Sequence, residues 1–516
     1  VHTSSGAFDV YPGGESLVPA LERFVELARD YDLIPVSIRL SGDDETPMTL
    51  WRKIGADCLL ETVESEGGPG RYSLLGRGQT LSFTLSDSLV DYRMGPDLKG
   101  IEENVANPLS RTRELLGSLR IYTPKGVPAV FLSLMGFLGY EAASWIEKIP
   151  KHPRQGCIPD VRLVLPELLV GCDAFDRAIW VISFVFPGND ARKAYRQAME
   201  RLEKVMNQLQ VPVEKQQMSS GMNDQVTLHR ALSPEEYMES VRAVQEHIRA
   251  GDIVQGVIAQ QLRIDNPPDP MTVYRRLRAQ NPSPYHFYLD YGEYALVGAS
   301  PEVMVKLDNG LVTIRPIAGT RPRGENPQKD QALEEELLGD EKERAEHLML
   351  VDLARNDIGR VAVPGSVQVD EFMKVERYSH VMHLVSSVSG RLRKGKTVFD
   401  VIAASFPAGT LTGAPKVRAM EIIHEQERQA RGPYGGAVVR LGLCGDFDSC
   451  ITIRTVVFEG GQAFVTAGAG IVHQSVAKSE YEECMNKARA SLHALGVAED
   501  SPCLYAERGE KNGSLN

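Results

Sequence analysis

Apolar residues recur every third or fourth position over residues 15–30, where Leu17, Leu21, Phe24, Val25 and Ala28 share one face, so this stretch predicts a helix. From Ile34 to about Phe186 the pattern shortens to alternating and continuous apolar runs broken by turn residues, the mark of strands. Within it, "VRLVLPELLVGCDAF" and "AIWVISFVF" read as neighbouring strands with Asp176-Arg177 at the turn. A helix with one charged face follows over Ala191–Leu209. Periodicity then disappears in "QVPVEKQQMSSGMNDQVTL", which reads as a linker. Beyond it, Ser233-Pro234-Glu235-Glu236 supplies an N-cap, a first-turn Pro and a capping-box Glu. Tyr237, Val241, Val244 and Ile248 then form an apolar stripe that Gly251 ends, and "DIVQGVIAQQLRI" reads as a strand. The mixture implies an α+β fold, with antiparallel β-sheets and helices packed on the outside.

Composition narrows the class. A chain of 516 residues, 42% of them hydrophobic, has enough material for a large core and two to four domains. The net charge of −12 argues against a nucleic-acid partner, so an anionic ligand would need locally concentrated positive charge. The seven cysteines are odd in number and lack zinc or redox spacing, which points to reduced thiols and a cytoplasmic setting. The polar N-terminus has no signal-like run, and the most apolar stretch, "GVPAVFLSLMGFLGY", is broken by Pro and Gly and too short to span a membrane.

Several stretches carry chemistry-bearing residues. "RPIAGTRPRG", Arg315 to Gly324, concentrates Gly and Arg, as expected of an anion held by backbone N–H groups and guanidinium forks; a solvated turn is the ordinary alternative. In "GDEKERAEHLMLVDLARNDIG", Asp340 and Glu343 suit a helix start, and Glu346 falls on the apolar side with Leu350 and Leu353. A carboxylate there is costly to bury without a cation. In "KSEYEECMNKARASL", Ser479 can cap, Tyr481, Cys484, Ala488 and Leu492 face the core, and Glu483 is spaced to pair with Lys487. Glu346 also fits a charge at the edge of a solvated face, and Glu483 an ordinary surface salt bridge. "FPAGTLTGAPKVRAM" imitates a phosphate loop but lacks its G-x-x-x-x-G-K-[ST] spacing. Gly468-Ala469-Gly470 ends a strand where a ligand or another backbone can approach, and His383 lies in an apolar strand-like run.

Taken in order, "PIAGTRPRG", "LMLVDLARNDIGRV", "VMHLVS", "GTLTGAPKVRAM", "YGGAV", "AGAGIV" and "NKARA" closely resemble the chorismate-utilising enzymes, and among them the large subunits of anthranilate synthases. "LLETVE", "GRYSLLG" and "GFLGYEA" extend the resemblance over nearly the whole chain. It divides the chain into an N-terminal region (15–205), the linker (206–228), a chorismate-binding catalytic region (229–497) and a tail (498–516).

The resemblance implies sheets packed face to face and Mg²⁺-dependent lyase chemistry: chorismate and ammonia become anthranilate and pyruvate, the first step of tryptophan biosynthesis. It places Mg²⁺ on Glu346 and Glu483, which suits an ion that takes a few carboxylates plus water and a substrate oxygen. It assigns substrate contacts to Gly319, Thr320, Tyr434, Arg454, Gly468, Ala469 and Gly470, and brings His383, Gln255 and Lys487 into the catalytic set. Related enzymes that use a different nucleophile carry Lys where this chain has Ala318 or Gln255; neither residue here is a nucleophile or general base, so ammonia is the expected nucleophile. His383 matches a histidine of the pyruvate-elimination step. No Cys sits on a G-x-C-x-G turn, so glutamine hydrolysis falls to a separate glutamine amidotransferase subunit. The family's tryptophan site maps onto Glu61, Thr62, Pro284, Tyr285, His286 and Cys450 as inhibitor-binding residues, with Glu61 left to meet an ammonium group. Thr62 and His286 stand where the family usually has Ser and Met, which predicts weak feedback inhibition.

Overall fold

The computed structural model describes residues 19–497, except 64–68, 96–99, 214–225, 282 and 379–380. The tail 498–516, Leu17 and much of the linker lie outside the described residues. Two twelve-stranded sheets dominate them, and every described strand pair is antiparallel. The first runs from Ile34–Ser41 at one edge through Ala178–Val185, Leu168–Asp173, Pro69–Arg77 and Cys58–Val63. It continues through Tyr285–Asp290, Tyr294–Ser300, Thr455–Glu459, Gln462–Ile471 and Gln255–Asp265 to Thr227–Arg230. The second runs from Ile317–Pro322 through Val381–Arg391, Leu311–Ile314, Val303–Asp308, Phe447–Ile451 and Ala437–Gly442. It ends with Ser133–Leu138, Val161–Leu165, Leu81–Ser86, Leu89–Met94 and Gly100–Asn104. Strands from both sides of residues 206–228 therefore build both sheets.

Strand periodicity explains how the sheets bury themselves. In Ala178–Val185, every position is buried. Trp180, Ile182 and Phe184 join a core with Leu81, Phe83 and Leu163 of the second sheet. Ile179, Val181 and Val185 point the other way, into a core with Phe24, Leu202, Val241 and Leu492 of covering helices. A run apolar at every position is what a strand covered on both faces requires, and each fully buried Leu or Phe contributes about 1.5–3 kcal/mol. A smaller core of Phe287, Leu289 and Leu296 against Phe137, Val438 and Cys450 joins the sheets again.

The capped helix appears as read, Pro234–Ala250, with Ser233 and Glu236 exchanging cap bonds and Gly251 left-handed. Ala191–Leu209 also matches. Three expectations are corrected. The first helix spans Leu21–Leu27 and gives way to a turn at Ala28–Asp30, while residues 15–18 of the expected span lie outside the described residues. "VRLVLPELLVGCDAF" breaks at Pro166: Leu168–Asp173 pairs with Ala178–Val185, but Val161–Leu165 joins the other sheet. Ser479 does not cap; its helix starts earlier, at Ala477 after Val476, so Ser479 lies inside the first turn. Among the described residues no helix is long and apolar enough to cross a membrane.

Candidate active site

The Arg315–Gly324 stretch is mostly strand. Ile317–Pro322 pairs with Val381–Arg391, and the register slips between Ala318, opposite Leu384, and Thr320, opposite His383. Gly319 takes up the slip with φ +66°, where a Cβ would come within 2.9 Å of Leu337. The bulge aims the Gly319 carbonyl at His383, whose Nδ1 donates to it over 3.1 Å; Nδ1 also lies 3.1 Å from Thr320 Oγ1. A carbonyl can only accept, so Nδ1 holds the proton and Nε2 of the neutral ring keeps the lone pair.

The three arginines do not form the expected anion fork. Arg315 bonds Glu376. Arg321 meets Glu336 and Asp340, each at 2.8 Å. Arg323 grips Asp330 at 2.9 and 3.0 Å. Helices Pro327–Gly339 and Glu341–Gly359 and strand Gln368–Arg377 bring these carboxylates to the loop, so the guanidiniums are consumed in holding it.

Beside it opens a cavity of about 420 Å³ that gathers predicted residues from distant parts of the chain. Thr320, His383, Tyr434, Arg454, Gly468 and Gly470 line it, as do Lys487 and Pro284. Ala469 is fully buried and turns into the helix-covered core, as strand alternation demands. Gln255 stands behind Gly470, 2.7 Å from where a Cβ there would be, and is not on the cavity wall.

The most telling wall positions are two crossovers between the sheets. Arg454, at φ +51°, links Phe447–Ile451 of the second sheet to Thr455–Glu459 of the first. Glu302 links Tyr294–Ser300 to Val303–Asp308. Arg454 forms no ion pair among the described residues, and burial draws its guanidinium below its ordinary pKa. An arginine stays charged in such a place, so the cavity presents an unanswered cation. Glu302 was not foreseen from sequence; burial raises its carboxyl to about 7, while Thr410 and Lys487 pull it down. The one sequence sign is a lone Glu in "GASPEVMV", between two apolar runs. For His383, burial lowers the pKa first, the Gly319 bond raises it and Arg454 lowers it, so the net shift is down and the ring is neutral at pH 7.

Glu346, on Glu341–Gly359, and Glu483, on Ala477–Ala494, face one another closely enough to interact. Burial raises the Glu346 carboxyl, as do Glu343, Glu483 and Glu480; Lys342, 3.7 Å away, opposes this. Lys487 sits 2.7 Å from Glu483. Among the described residues no group of three or more acidic, His or Cys side chains forms a closed metal cage. Neither carboxylate lines the 420 Å³ cavity, which Lys487 reaches from beside Glu483; two mutually repelling carboxylates nonetheless fit Mg²⁺, which keeps water and substrate oxygens in its shell.

Four of the six predicted inhibitor residues meet at one strand pairing, Glu61 opposite His286 and Thr62 opposite Tyr285, whereas Pro284 lines the 420 Å³ cavity. Cys450 packs in the adjoining core with Tyr285. The expectation of a free Glu61 is corrected. It is 5% exposed, accepts from Arg278 at 2.9 and 3.1 Å, and also bonds the Tyr274 hydroxyl. Arg278 comes from helix Pro270–Gln280, whose position the sequence does not reveal. His286 donates Nε2–H to the Asn281 carbonyl over 3.0 Å, its buried Nδ1 has no partner among the described residues, and burial lowers its pKa. Thr62 donates to the Tyr72 carbonyl over 3.2 Å.

The chorismate binding enzyme family model matches residues 74–493. Anthranilate synthase component 1 of Acetivibrio thermocellus is 39% identical over 490 residues, covering 93% of this chain and 99% of that protein. The Pseudomonas aeruginosa protein of the same name is 40% identical over 494 residues, covering 93% and 99%. The crystal structure of anthranilate synthase component I from Streptococcus pneumoniae superposes with a TM-score of 0.72 at 34% identity, covering 88% of this chain and 98% of that one. The menaquinone-specific isochorismate synthase of Escherichia coli shares the fold, with a TM-score of 0.70 at 19% identity over 93% of this chain and 100% of that one. With two antiparallel sheets whose crossovers meet in a cationic cavity, the chain belongs to the chorismate-binding enzyme family, in its anthranilate synthase component 1 branch of lyases.

Proposed function

We propose that the chain converts chorismate and ammonia to anthranilate and pyruvate in the 420 Å³ cavity, as the first step of tryptophan biosynthesis in the cytoplasm. The observation that carries this reading is Arg454, a buried guanidinium with no acidic partner among the described residues, poised for a bidentate carboxylate clamp. Gly468 and Gly470 bring backbone to the cavity wall, and Lys487 adds positive charge. Glu302, protonated below about pH 7, donates a proton as the ring C4 hydroxyl departs as water. Ala318, on the cavity wall, offers no side-chain nucleophile, which leaves ammonia to add at C2. Neutral His383 then takes the C2 proton at Nε2 as the C3–O bond breaks and the ring aromatises; the departing enolpyruvate gains one proton at its methylene carbon, balancing the one lost from C2, and becomes pyruvate. Glu346 and Glu483 would hold Mg²⁺, which supplies Lewis-acid polarisation of a substrate carboxylate.

The ammonia source is a separate glutamine amidotransferase subunit. The isolated chain is therefore expected to form anthranilate with ammonium and none with glutamine. Glutamine-dependent turnover by a preparation free of any second protein would refute this. His383→Met is expected to slow elimination more than amination, so an amino-dihydro intermediate should accumulate in a quenched time course. Equal slowing of both steps would make the histidine structural or place it in the first step.

Tryptophan is proposed to bind the Glu61–His286 seam weakly. Its ammonium must displace Arg278 from Glu61, the Thr62 methyl crowds the site, and His286 replaces a pliant thioether. Inhibition of the wild type is expected to be about ten-fold or more weaker than that of Thr62→Ser/His286→Met, a difference of about 1.4 kcal/mol or more. Tight inhibition with no gain in the double variant would show a seam rebuilt around His286.

A further inference from the structure

Behind Glu302 lies a second cavity of about 40 Å³. Glu302 and Thr410 line both it and the 420 Å³ cavity, so these two side chains form the partition. A single water needs about 10–15 Å³ of such space, so a short file of waters fits. Thr410 Oγ1 is buried beside Glu302, whose carboxyl it pulls down as a hydrogen-bond partner, and it makes no other hydrogen bond among the described residues, so its hydroxyl is the polar group between the two spaces.

Asp357 also lines this small cavity, with Leu350, Leu353 and Met304 among its apolar walls. Asp357 is 8% exposed and accepts from Lys416 Nζ over 3.0 Å. Lys416 donates as well to the Ser405 carbonyl, over 3.2 Å. These bonds account for the lysine that imitates a phosphate loop. The other charges facing the group are Arg360, on the same helix as Asp357, Lys487 beside Glu302, and Arg315, which is paired with Glu376.

We propose that the small cavity is a proton relay, in which water joins Asp357 to Glu302 past the Thr410 hydroxyl and Asp357 reloads Glu302 after each turnover. The inference rests on the reading of Glu302 as proton donor. In the step itself, the C4–O bond breaks as the Glu302 O–H bond breaks, and the hydroxyl leaves as water. The Glu302 carboxylate then takes a proton from cavity water, that water takes one from Asp357, and Asp357 is reprotonated from solvent. Ammonia that has added at C2 gives up one proton, so the sum over the step is zero. Burial raises the Asp357 carboxyl against the pull of Lys416 and Arg360. Asp357 touches no substrate; it is a positioning residue for the proton.

Rapid-quench kinetics with chorismate, ammonium and Mg²⁺ test the relay. Asp357→Asn is expected to complete its first turnover at the wild-type rate, then to fall about ten-fold or more in steady state. Added imidazole, a small proton carrier, should restore the steady-state rate. Asp357→Ser should show the same burst and supplies the readout if Asp357→Asn does not fold. A wild-type steady-state rate, or loss of the first turnover together with the steady state, would overturn the relay. Glu302→Gln separates the two readings: if it retains the first turnover, the donor role of Glu302 fails; if it loses that turnover while Asp357→Asn shows no burst, only the relay fails.

Discussion

Glu302→Gln is expected to lower kcat by about 10²–10⁴-fold, the usual contribution of a positioned general acid, while the protein still folds. Gln has the shape of Glu and keeps a polar head in the cavity, but it cannot give up a proton. The backbone around it does not depend on the side chain: the Glu302 carbonyl accepts from Ile451 N over 3.0 Å. The pH dependence follows from burial. With its pKa raised to about 7, the carboxyl is a donor below that pH and is lost as pH rises through it. Wild-type kcat should therefore fall on the alkaline side of about 7, and the small residual rate of the variant should lack that limb. Near-wild-type turnover, or the same alkaline limb in the variant, would place the proton donor elsewhere.

Glu346→Gln or Glu483→Gln is expected to abolish Mg²⁺-dependent turnover without lowering the melting temperature. Losing a charged metal contact removes several kcal/mol of transition-state stabilisation. Stability should not follow activity down, because Glu346 is raised by burial and by Glu343, Glu483 and Glu480. Removing one of these negative charges relieves repulsion in the metal-free protein. The exposed Lys487–Glu483 pair, at 2.7 Å, contributes about 0–1 kcal/mol at most. An Mg²⁺ titration of the rate beside a thermal melt checks both halves. A near-wild-type rate at saturating chorismate with unchanged Mg²⁺ dependence would mean that these are ordinary surface carboxylates.

Local signals in the chain were legible where local physics decides the outcome. The Ser233–Glu236 capping box and Gly251 mark a helix in the sequence because the cap bonds are made within four residues. Gly319 stands out as part of an unusual loop, and the structure shows why glycine is there, at a bulge with positive φ. What failed depends on partners far along the chain. The arginines of "RPIAGTRPRG" look available for a ligand until Asp330, Glu336, Asp340 and Glu376 are seen against them. Glu61 looks free until Arg278 arrives from a helix 217 residues later. Glu302 is silent in sequence because its role comes from sitting at a crossover between two sheets, a fact of topology rather than of neighbouring residues. Pro166, by contrast, carried a warning in plain view: a proline within an apolar run argues against one continuous strand.

The most direct measurement is turnover of chorismate with ¹⁵N-labelled ammonium and Mg²⁺ by the isolated chain, followed by product identification. ¹⁵N-anthranilate and pyruvate are expected in equal amounts, with no glutamine required. An amino-dihydro acid without pyruvate, or a hydroxylated product such as isochorismate or salicylate, would contradict it.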